Sequence, residues 1–354
     1  MGLLGMGYNK KLLRTATAIF DEEMAICEKY NITLNEDQKE TIFEGTIHHI
    51  ISLGVATALN EGKIHKFYTD WTYALLHNHV KGLDTSHIKA YLIGHYSLML
   101  KYISEILPPD SIEKGSALLQ SAIDQIQNDI EIKFGVDYIN NGEYAVLKKK
   151  LLQYMLDKDT ASANVLVHNA NNALGIEELY TEIIQPVMQG VGELWHQNEI
   201  SVAQEHYCSS FTQTLMLQFY NDLYDNPRIN RKVVVACPDT ELHQIGARMI
   251  SDLFESKGWQ SIFLGSAVPV QAIIRTLEEE TPDVCALSLC MPEGLPACCK
   301  ATKKIKEQFP DMLVAVGGRA FEQIDNPLQI TGADIYSKNF QELYKQLEIS
   351  YANH

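Results

Sequence analysis

One histidine in this sequence, which follows a strand-like segment, is a candidate metal ligand. The apolar run KVVVACP is followed, after two intervening residues, by Glu241-Leu242-His243-Gln244-Ile245-Gly246, with a carboxylate two residues before the histidine and a glycine three after it. A metal-bound imidazole usually donates its other N–H to a carboxylate, which fixes the tautomer and raises the basicity of the ring. Glu241 or Asp239 could hold His243 in this way. A lone histidine in such a loop is more often structural, so the interpretation depends on what surrounds it.

The surrounding segments predict the scaffold for this loop. From residue 230 onward, the β-branched runs KVVVACP, SIFLGS, VCALSL, LVAVGG and ADIYS alternate with helical segments. This alternation predicts a Rossmann-like parallel sheet with helices on both faces. Such sheets bind ligands outside the carboxyl ends of their strands, so the residues after each strand are the candidates for a site.

The spacing beyond His243 links three of these strand ends. There are 41 residues between Gly246 and Ser288, and 26 between Cys290 and the pair Gly317-Gly318. This pattern resembles the cobalamin-binding signature of methionine synthases, mutases and related corrinoid proteins. The resemblance implies that His243 is the lower axial ligand of cobalt, supported by Glu241, and that Ser288, Gly317 and Gly318 border the displaced dimethylbenzimidazole tail. Here Glu241 stands where the family more often has Asp, and Cys290 where it usually has Leu or Thr.

The segment GELWHQNEISVAQEHYCSS precedes this domain within a helical stretch. It resembles the cobalamin-dependent light-sensing transcription repressors, whose helical bundle caps adenosylcobalamin. The resemblance implies that Trp195 packs over the 5′-deoxyadenosyl group, that Val202 lines its pocket, and that Glu205 and His206 hydrogen-bond to it. It also implies that His196 takes the upper cobalt position after light breaks the Co–C bond. The alternative is that these residues are ordinary helix core and solvated surface.

The N-terminal third is helical by its apolar periodicity. Residues 76–84, Leu-His-Asn-His-Val-Lys-Gly-Leu-Asp, resemble the segment of globin-coupled sensors that carries the proximal haem histidine. The proximal position falls on Asn78, and an amide is a poor iron ligand; a one-residue shift would place His79 there. Together with the cobalamin module, this domain resembles the photocobilins, which implies biliverdin and the candidate pocket residues Trp71, His77, Asn78 and His79. One alternative is that the domain binds haem. The other is that it binds no ligand and that this segment is a histidine-rich surface helix.

Composition limits the partners. Acidic residues outnumber basic ones by 45 to 29, giving a formal charge of −16, which disfavours nucleic acid. The seven cysteines include no CxxC pair, as is typical of reduced thiols in a cytosol. The N-terminus lacks the order of a signal peptide, and no apolar run approaches the roughly 18 residues of a membrane span. We therefore expect a cytoplasmic protein that binds neither nucleic acid nor membrane.

The sequence predicts three parts: an all-α globin-like domain at 1–142, a four-helix bundle at 143–226 and a Rossmann-like cobalamin domain at 230–354. The predicted function is a photoreceptor rather than an enzyme, in which photolysis changes the packing of the bundle. Since neither a helix-turn-helix module nor an output domain is expected, the signal would pass through light-dependent homo-oligomerisation or a separate output protein. The alternatives are a corrinoid methyl carrier of a methyltransferase system and a haem-based globin sensor.

Overall fold

The computed structural model describes residues 9–30, 32–79, 84–128, 136–223 and 226–352. The chain divides into two compact units. The first comprises Met1–Phe134 with the short stretch His196–Asn198, and the second comprises Gly135–Trp195 and Glu199–His354.

The first unit is helical, as its periodicity predicts. Its helices are α1 (Lys10–Lys29), α2 (Glu36–Leu59), α3 (Gly62–His79), α4 (Thr85–Lys101), α5 (Ile103–Ile106) and α6 (Ile112–Gln127). Side chains fix the helix starts: Asn35 and Gln38 form a reciprocal capping box at α2, and Asp84 caps α4. Such caps satisfy amides that the helix leaves without intrahelical partners. Pro109 begins a short 3-10 turn between α5 and α6.

The sequence led us to expect no apolar run of the length of a membrane span, but α2 of the first unit is long and apolar enough to cross a membrane by length and composition, over Gln38–Leu59. Over half of the apolar window is buried, and Ile42, Ile47 and Leu53 belong to the hydrophobic core of the unit. The apolar character of this helix is accounted for by its packing within the core.

The second unit begins with a helical part. Its helices are α7 (Ala145–Leu156), α8 (Thr160–Leu174), α9 (Ile176–Glu178), α10 (Gln185–His196), α11 (Val202–Leu217) and α12 (Tyr220–Leu223), with a π-helical segment (Leu179–Ile184) before α10. A capping box of Ser201 and Gln204 starts α11. These helices share one hydrophobic core with the sheet that follows, since Leu151, Val191 and Val233 belong to the same buried cluster.

The sheet confirms the predicted parallel α/β architecture. Its strands are β1 (Lys232–Pro238), β2 (Gln260–Val268), β3 (Val284–Ser288), β4 (Leu313–Gly317) and β5 (Ile335–Ser337), in the order β2-β1-β3-β4-β5. The pairs are parallel. The helices α13 (Ile245–Ser256), α14 (Val270–Glu280), α15 (Leu295–Gln308), α16 (Pro327–Thr331) and α17 (Phe340–Ala352) alternate with the strands. The chain order reverses direction between β1 and β3, which is where a doubly wound sheet opens a crevice for a ligand.

Candidate functional site

His243 lies in the loop between β1 and α13, at the carboxyl edge of the sheet. Its Nδ1 lies 2.6 Å from Oε1 of Glu241, and its backbone N–H donates to the same oxygen at 2.7 Å. The His243 side chain is 59% exposed, whereas that of Glu241 is 1% exposed. The carboxylate therefore holds one ring nitrogen from beneath and leaves Nε2 for a ligand. Glu241 is thus the partner of His243, and Asp239 is exposed at the surface.

The electrostatics of this pair favour a charged carboxylate. Burial alone would raise the pKa of Glu241, but the hydrogen bonds from His243 and from the Met291 amide bring it below its usual value. The hydrogen bond to Glu241 raises the pKa of His243, against the opposing effect of burial. An imidazole held by an ionised carboxylate is a more basic ligand, which is the usual arrangement around metal-bound histidines.

Glu241 also holds the loop after β3. Its second oxygen, Oε2, accepts hydrogen bonds from the backbone amides of Cys290 at 2.6 Å and Met291 at 3.0 Å. One buried carboxylate therefore connects the loop that carries His243 to the loop that follows Ser288. The sequence did not predict the hydrogen bonds to these two amides. The available signal was the glutamate at position 241, because its side chain is one methylene longer than the aspartate that is more usual there in proteins with the cobalamin-binding signature.

The other residues of the predicted signature lie at the same edge. Ser288 ends β3 and pairs in register with Gly317 at the end of β4. Gly318 has a φ of 107°, and a Cβ there would come within 2.3 Å of the Leu289 carbonyl oxygen. The loops after β3 and β4 approach each other so closely here that position 318 requires a glycine. At Gly246, by contrast, a Cβ would meet nothing within 4 Å, so open space adjoins the start of α13.

The helical part of the second unit contributes the residues predicted to lie over the cobalt. Trp195 is partly buried and packs against the shared core near the end of α10. Val202, the first residue of α11, is 51% exposed. One turn later Glu205 hydrogen-bonds to the His206 ring and accepts a bond from the Ser209 hydroxyl at 2.7 Å. The negative charge of Glu205 contributes to the raised pKa of His243, so the start of α11 lies near the predicted cobalt ligand.

A direct hydrogen bond also joins α11 to the loop of His243. Nε2 of Gln244 donates to Oε1 of Gln213 at 3.3 Å. Further along, the Tyr180 hydroxyl in the π-helical segment donates to Asp252 of α13 at 3.1 Å, and Arg248 donates to the same carboxylate at 2.7 Å. Helix α13, which begins two residues after His243, is therefore fastened to the helical part by buried polar contacts as well as by the core.

His196 lies in the first unit, whereas Trp195, the residue before it in the sequence, lies in the second. It is 7% exposed, its ring stacks on Trp71 with centroids 5.2 Å apart, and its Nε2 lies 3.2 Å from the Trp71 carbonyl oxygen. Asn78 donates to the His196 carbonyl oxygen at 3.3 Å. Burial lowers the pKa of His196, which favours the neutral imidazole that a metal requires.

The residues predicted to line a second ligand pocket lie on α3. Trp71, Asn78 and His79 share one face of this helix by their spacing of seven and eight residues, while His77 is exposed. Positions 80–83 of the globin-like segment lie outside the described residues. Sequence reasoning did not predict a buried polar cluster nearby: Nδ1 of His49 lies 2.7 Å from Nε2 of His95, whose Nδ1 hydrogen-bonds to Glu23.

The arrangement around His243 fits a cobalt that arrives within a corrin ring. Among the described residues, no group of three or more His, Cys, Asp or Glu side chains could hold a metal ion by itself. What the site offers is one imidazole with a buried carboxylate behind it, open space at Gly246, and the exposed apolar side chains of Leu242 and Val202. A corrin would bring its own nitrogen ligands, so a single imidazole from the protein would be enough to hold the cobalt.

Comparison with protein families agrees with this geometry. Residues 231–338 match the family model of a B12 binding domain, and residues 147–218 match a second model, also described as a B12 binding domain. The first match covers the sheet with the His243 loop, and the second covers most of the helical part that shares its core. Both matched ranges are thus similar to B12 binding domains, and they support the expected corrinoid cofactor.

Two curated relatives are HTH-type transcriptional repressors of Myxococcus xanthus. The chain is 24% identical to CarA over 181 residues and 27% identical to CarH over 143 residues. These matches span 59% of CarA and 47% of CarH, so the chain corresponds to about half the length of each repressor. Among solved structures, the monomethylamine corrinoid protein of Methanosarcina barkeri aligns with a TM-score of 0.50 at 18% identity, over 58% of this chain and 100% of its own. This last likeness shows the fold.

Proposed function

We propose that this protein is a light-sensing photoreceptor that uses adenosylcobalamin as its chromophore. The observation that carries the proposal is the placement of Trp195, Val202 and the Glu205–His206 pair on helices that share a hydrophobic core with the His243 domain. These residues resemble the adenosyl-capping set of the light-sensing repressors. The sequence similarity to the repressors CarA and CarH supports the same proposal.

In the proposed mechanism His243 would hold the cobalt of the cofactor through Nε2, while Glu241 keeps its ring oriented. Trp195 provides a flat apolar surface above, and Glu205 and His206 provide hydrogen-bonding groups beside it. When bound, adenosylcobalamin supplies a Co–C bond that visible light breaks. Trp195 would pack against the adenosyl group of the bound cofactor, so the helical part would make a contact in the dark that it would lack after photolysis. A ligand shifts a conformational equilibrium by its differential contacts with the two states.

His196 is proposed to bind cobalt from above after illumination. To do so, its ring must give up the stacking on Trp71 and the contact with the Trp71 carbonyl oxygen. The neutral state favoured by its burial leaves a lone pair available for cobalt.

An absorption measurement tests the proposal. Protein loaded with adenosylcobalamin in the dark should show the spectrum of the alkyl form. After green illumination it should convert to a lasting spectrum with histidine on both faces of cobalt. If cobalamin binds but light leaves no lasting protein-dependent change, the photoreceptor proposal fails. The His206→Gln variant tests the capping set, because it should bind methylcobalamin normally and adenosylcobalamin more weakly.

Biliverdin is proposed as a second ligand, held by the first unit. Support comes from the shared face of Trp71, Asn78 and His79 on α3 and from the resemblance of residues 76–84 to globin-coupled sensors. Addition of biliverdin to the protein should produce a far-red absorption band that is reduced in Trp71→Ala. A Soret band after addition of haem, abolished by His79→Ala, would instead support the haem-based sensor.

The second candidate function is a corrinoid methyl carrier. The fold shared with the monomethylamine corrinoid protein along its whole length favours this candidate. A carrier should bind methylcobalamin with no preference for the adenosyl form, whereas a receptor with a tryptophan lid should prefer the adenosyl form. Competition between the two cobalamins in the dark therefore separates the candidates. For the receptor, we propose that the output is a light-dependent change in self-association or in binding to a separate protein.

A further inference from the structure

The loops at the carboxyl edge of the sheet contain few cations. In the segments that directly follow the five strands, the Lys and Arg residues are Arg319, after β4, and Lys338, after β5, while Asp239 and Glu241 follow β1. Cobalamin is neutral on its corrin amide side chains and carries a phosphodiester in the nucleotide tail that ends in dimethylbenzimidazole. An anion entering this edge therefore has only two candidate cations in those segments.

Arg319 is fixed beside the proposed path of the tail. The Leu289 amide donates to the Gly317 carbonyl oxygen at 2.9 Å, and the Ala320 amide donates to the Leu289 carbonyl oxygen at 3.2 Å. Arg319 is thus bracketed by backbone hydrogen bonds to the residue that directly follows Ser288. Because a side chain at Gly318 would collide with the Leu289 carbonyl, Arg319 is the first side chain past the glycine pair. Lys338 lies one strand further out, after the edge strand β5.

Arg319 is exposed, and it makes no hydrogen bond or ion pair in the part of the chain that the structure describes. Its charge acts on the Glu193 carboxyl of α10, where it opposes the larger rise in pKa that burial causes. The positive charge of Arg319 acts on both His243 and Cys290, lowering the pKa of each against larger opposing effects. Its field therefore reaches the two loops that Glu241 connects.

We propose that Arg319 binds the phosphodiester of the cobalamin nucleotide tail. A guanidinium presents a planar set of donors that matches the oxygens of a phosphate group. The contact would hold the tail against the Gly317–Gly318 crossing once the dimethylbenzimidazole has left cobalt to His243. This inference deepens the proposed function and rests on the coordination of cobalt by His243, but not on light sensitivity.

Truncation of the ligand tests the assignment. Adenosylcobinamide has the corrin and the adenosyl group of adenosylcobalamin but lacks the phosphodiester and the base. Affinities of the full chain for both ligands, measured in the dark by calorimetry, are compared for the wild type, Arg319→Gln and the control Arg275→Gln. Arg275 is an exposed arginine of α14 paired with Glu279, so its replacement removes the same charge away from this edge.

Arg319→Gln should weaken adenosylcobalamin binding about tenfold, the scale of one charge-assisted hydrogen bond, and leave adenosylcobinamide binding unchanged. Arg275→Gln should change neither affinity. Equal weakening of both ligands would overturn the assignment, because Arg319 would then act on the corrin; unchanged binding of both would overturn it as well. The proposed photoreceptor fails by a different result, namely the absence of a lasting spectral change after illumination of the wild-type complex.

Discussion

Oε2 of Glu241 lies 2.6 Å from the backbone nitrogen of Cys290, while Oε1 of the same carboxylate lies 2.6 Å from Nδ1 of His243. The two oxygens serve two loops that follow different strands. The orientation of His243, the predicted cobalt ligand, therefore depends on the loop after β3, which lies beside the proposed tail path. A displacement of either loop should alter the hydrogen bonds that Glu241 makes with the other.

Removal of this carboxylate should destabilise the fold as well as the site. Glu241→Ala leaves the amides of His243, Cys290 and Met291 without their acceptor, so we expect a loss of about 2 kcal/mol in the free energy of unfolding. Denaturant titration of the protein without ligand measures this loss. The exposed Asp239 provides the control, because Asp239→Asn should change the free energy of unfolding by less than about 0.5 kcal/mol. A similar loss in both variants would contradict the role given to Glu241.

His243→Ala should weaken cobalamin binding by about tenfold or more, since even supporting residues of metal ligands contribute that much. The remaining complex should have the absorption spectrum of cobalamin without a protein imidazole on the lower face. Spectral titration in the dark reports both quantities. Unchanged affinity together with an unchanged spectrum would remove His243 from the lower position, and His168→Ala, a substitution on α8, serves as the control.

Trp195→Ala should reduce the preference for adenosylcobalamin over methylcobalamin. Loss of a large aromatic surface from the adenosyl pocket should lower this ratio of affinities about tenfold. Competition titration in the dark gives the ratio directly. Trp195→Phe retains a flat ring and should keep most of the preference. A ratio that stays the same in Trp195→Ala would contradict the lid.

His196→Ala should leave dark binding of adenosylcobalamin within about twofold of the wild type, because the His196 ring stacks on Trp71 in this structure. After illumination, the variant should lack the lasting spectrum with two histidine ligands. A time course of absorption after a light pulse separates these effects. His206→Ala is the comparison: it should weaken dark binding and still allow the second histidine to bind. A wild-type light spectrum in His196→Ala would exclude His196 from the upper position.

The buried Asp252 predicts a pH-dependent contribution to stability. Burial raises its pKa to about 6, although Arg248 and the Tyr180 hydroxyl oppose the rise. Because this value exceeds that of an unfolded aspartate, roughly 3.9, the stabilising contribution is fully present below about pH 4 and declines as the pH rises through about 6. Between about pH 5 and 7.5 the free energy of unfolding should fall by about 1 kcal/mol through this group.

Asp252→Asn should remove that component of the pH dependence, as measured by urea titration at the two pH values. The exposed Asp311 supplies a matched control, since Asp311→Asn should keep the wild-type difference between pH 5 and 7.5. A wild-type pH dependence in Asp252→Asn would show that another group is responsible.

Part of this architecture could be predicted from local sequence. The run KVVVACP coincides with β1, the run SIFLGS lies within β2, and the runs VCALSL, LVAVGG and ADIYS contain β3, β4 and β5. Local sequence suffices here because strand formation depends on short-range patterns of side chains. The same holds for His243 and its carboxylate, which are two residues apart and share one loop. The intervals to Ser288 and Gly317 placed those residues at strand ends, where the register of β3 and β4 sets them side by side.

Tertiary structure alone decided the contacts between distant segments. Glu241 and Cys290 are 49 residues apart, and their hydrogen bond exists because β1 and β3 are neighbours in the sheet. The pairing of Tyr180 with Asp252 and the buried contact of His49 with His95 likewise depend on how helices pack. In the sequence these residues have the same local appearance as exposed ones, because a side chain's burial and partners follow from the packing of whole elements and not from its neighbours along the chain.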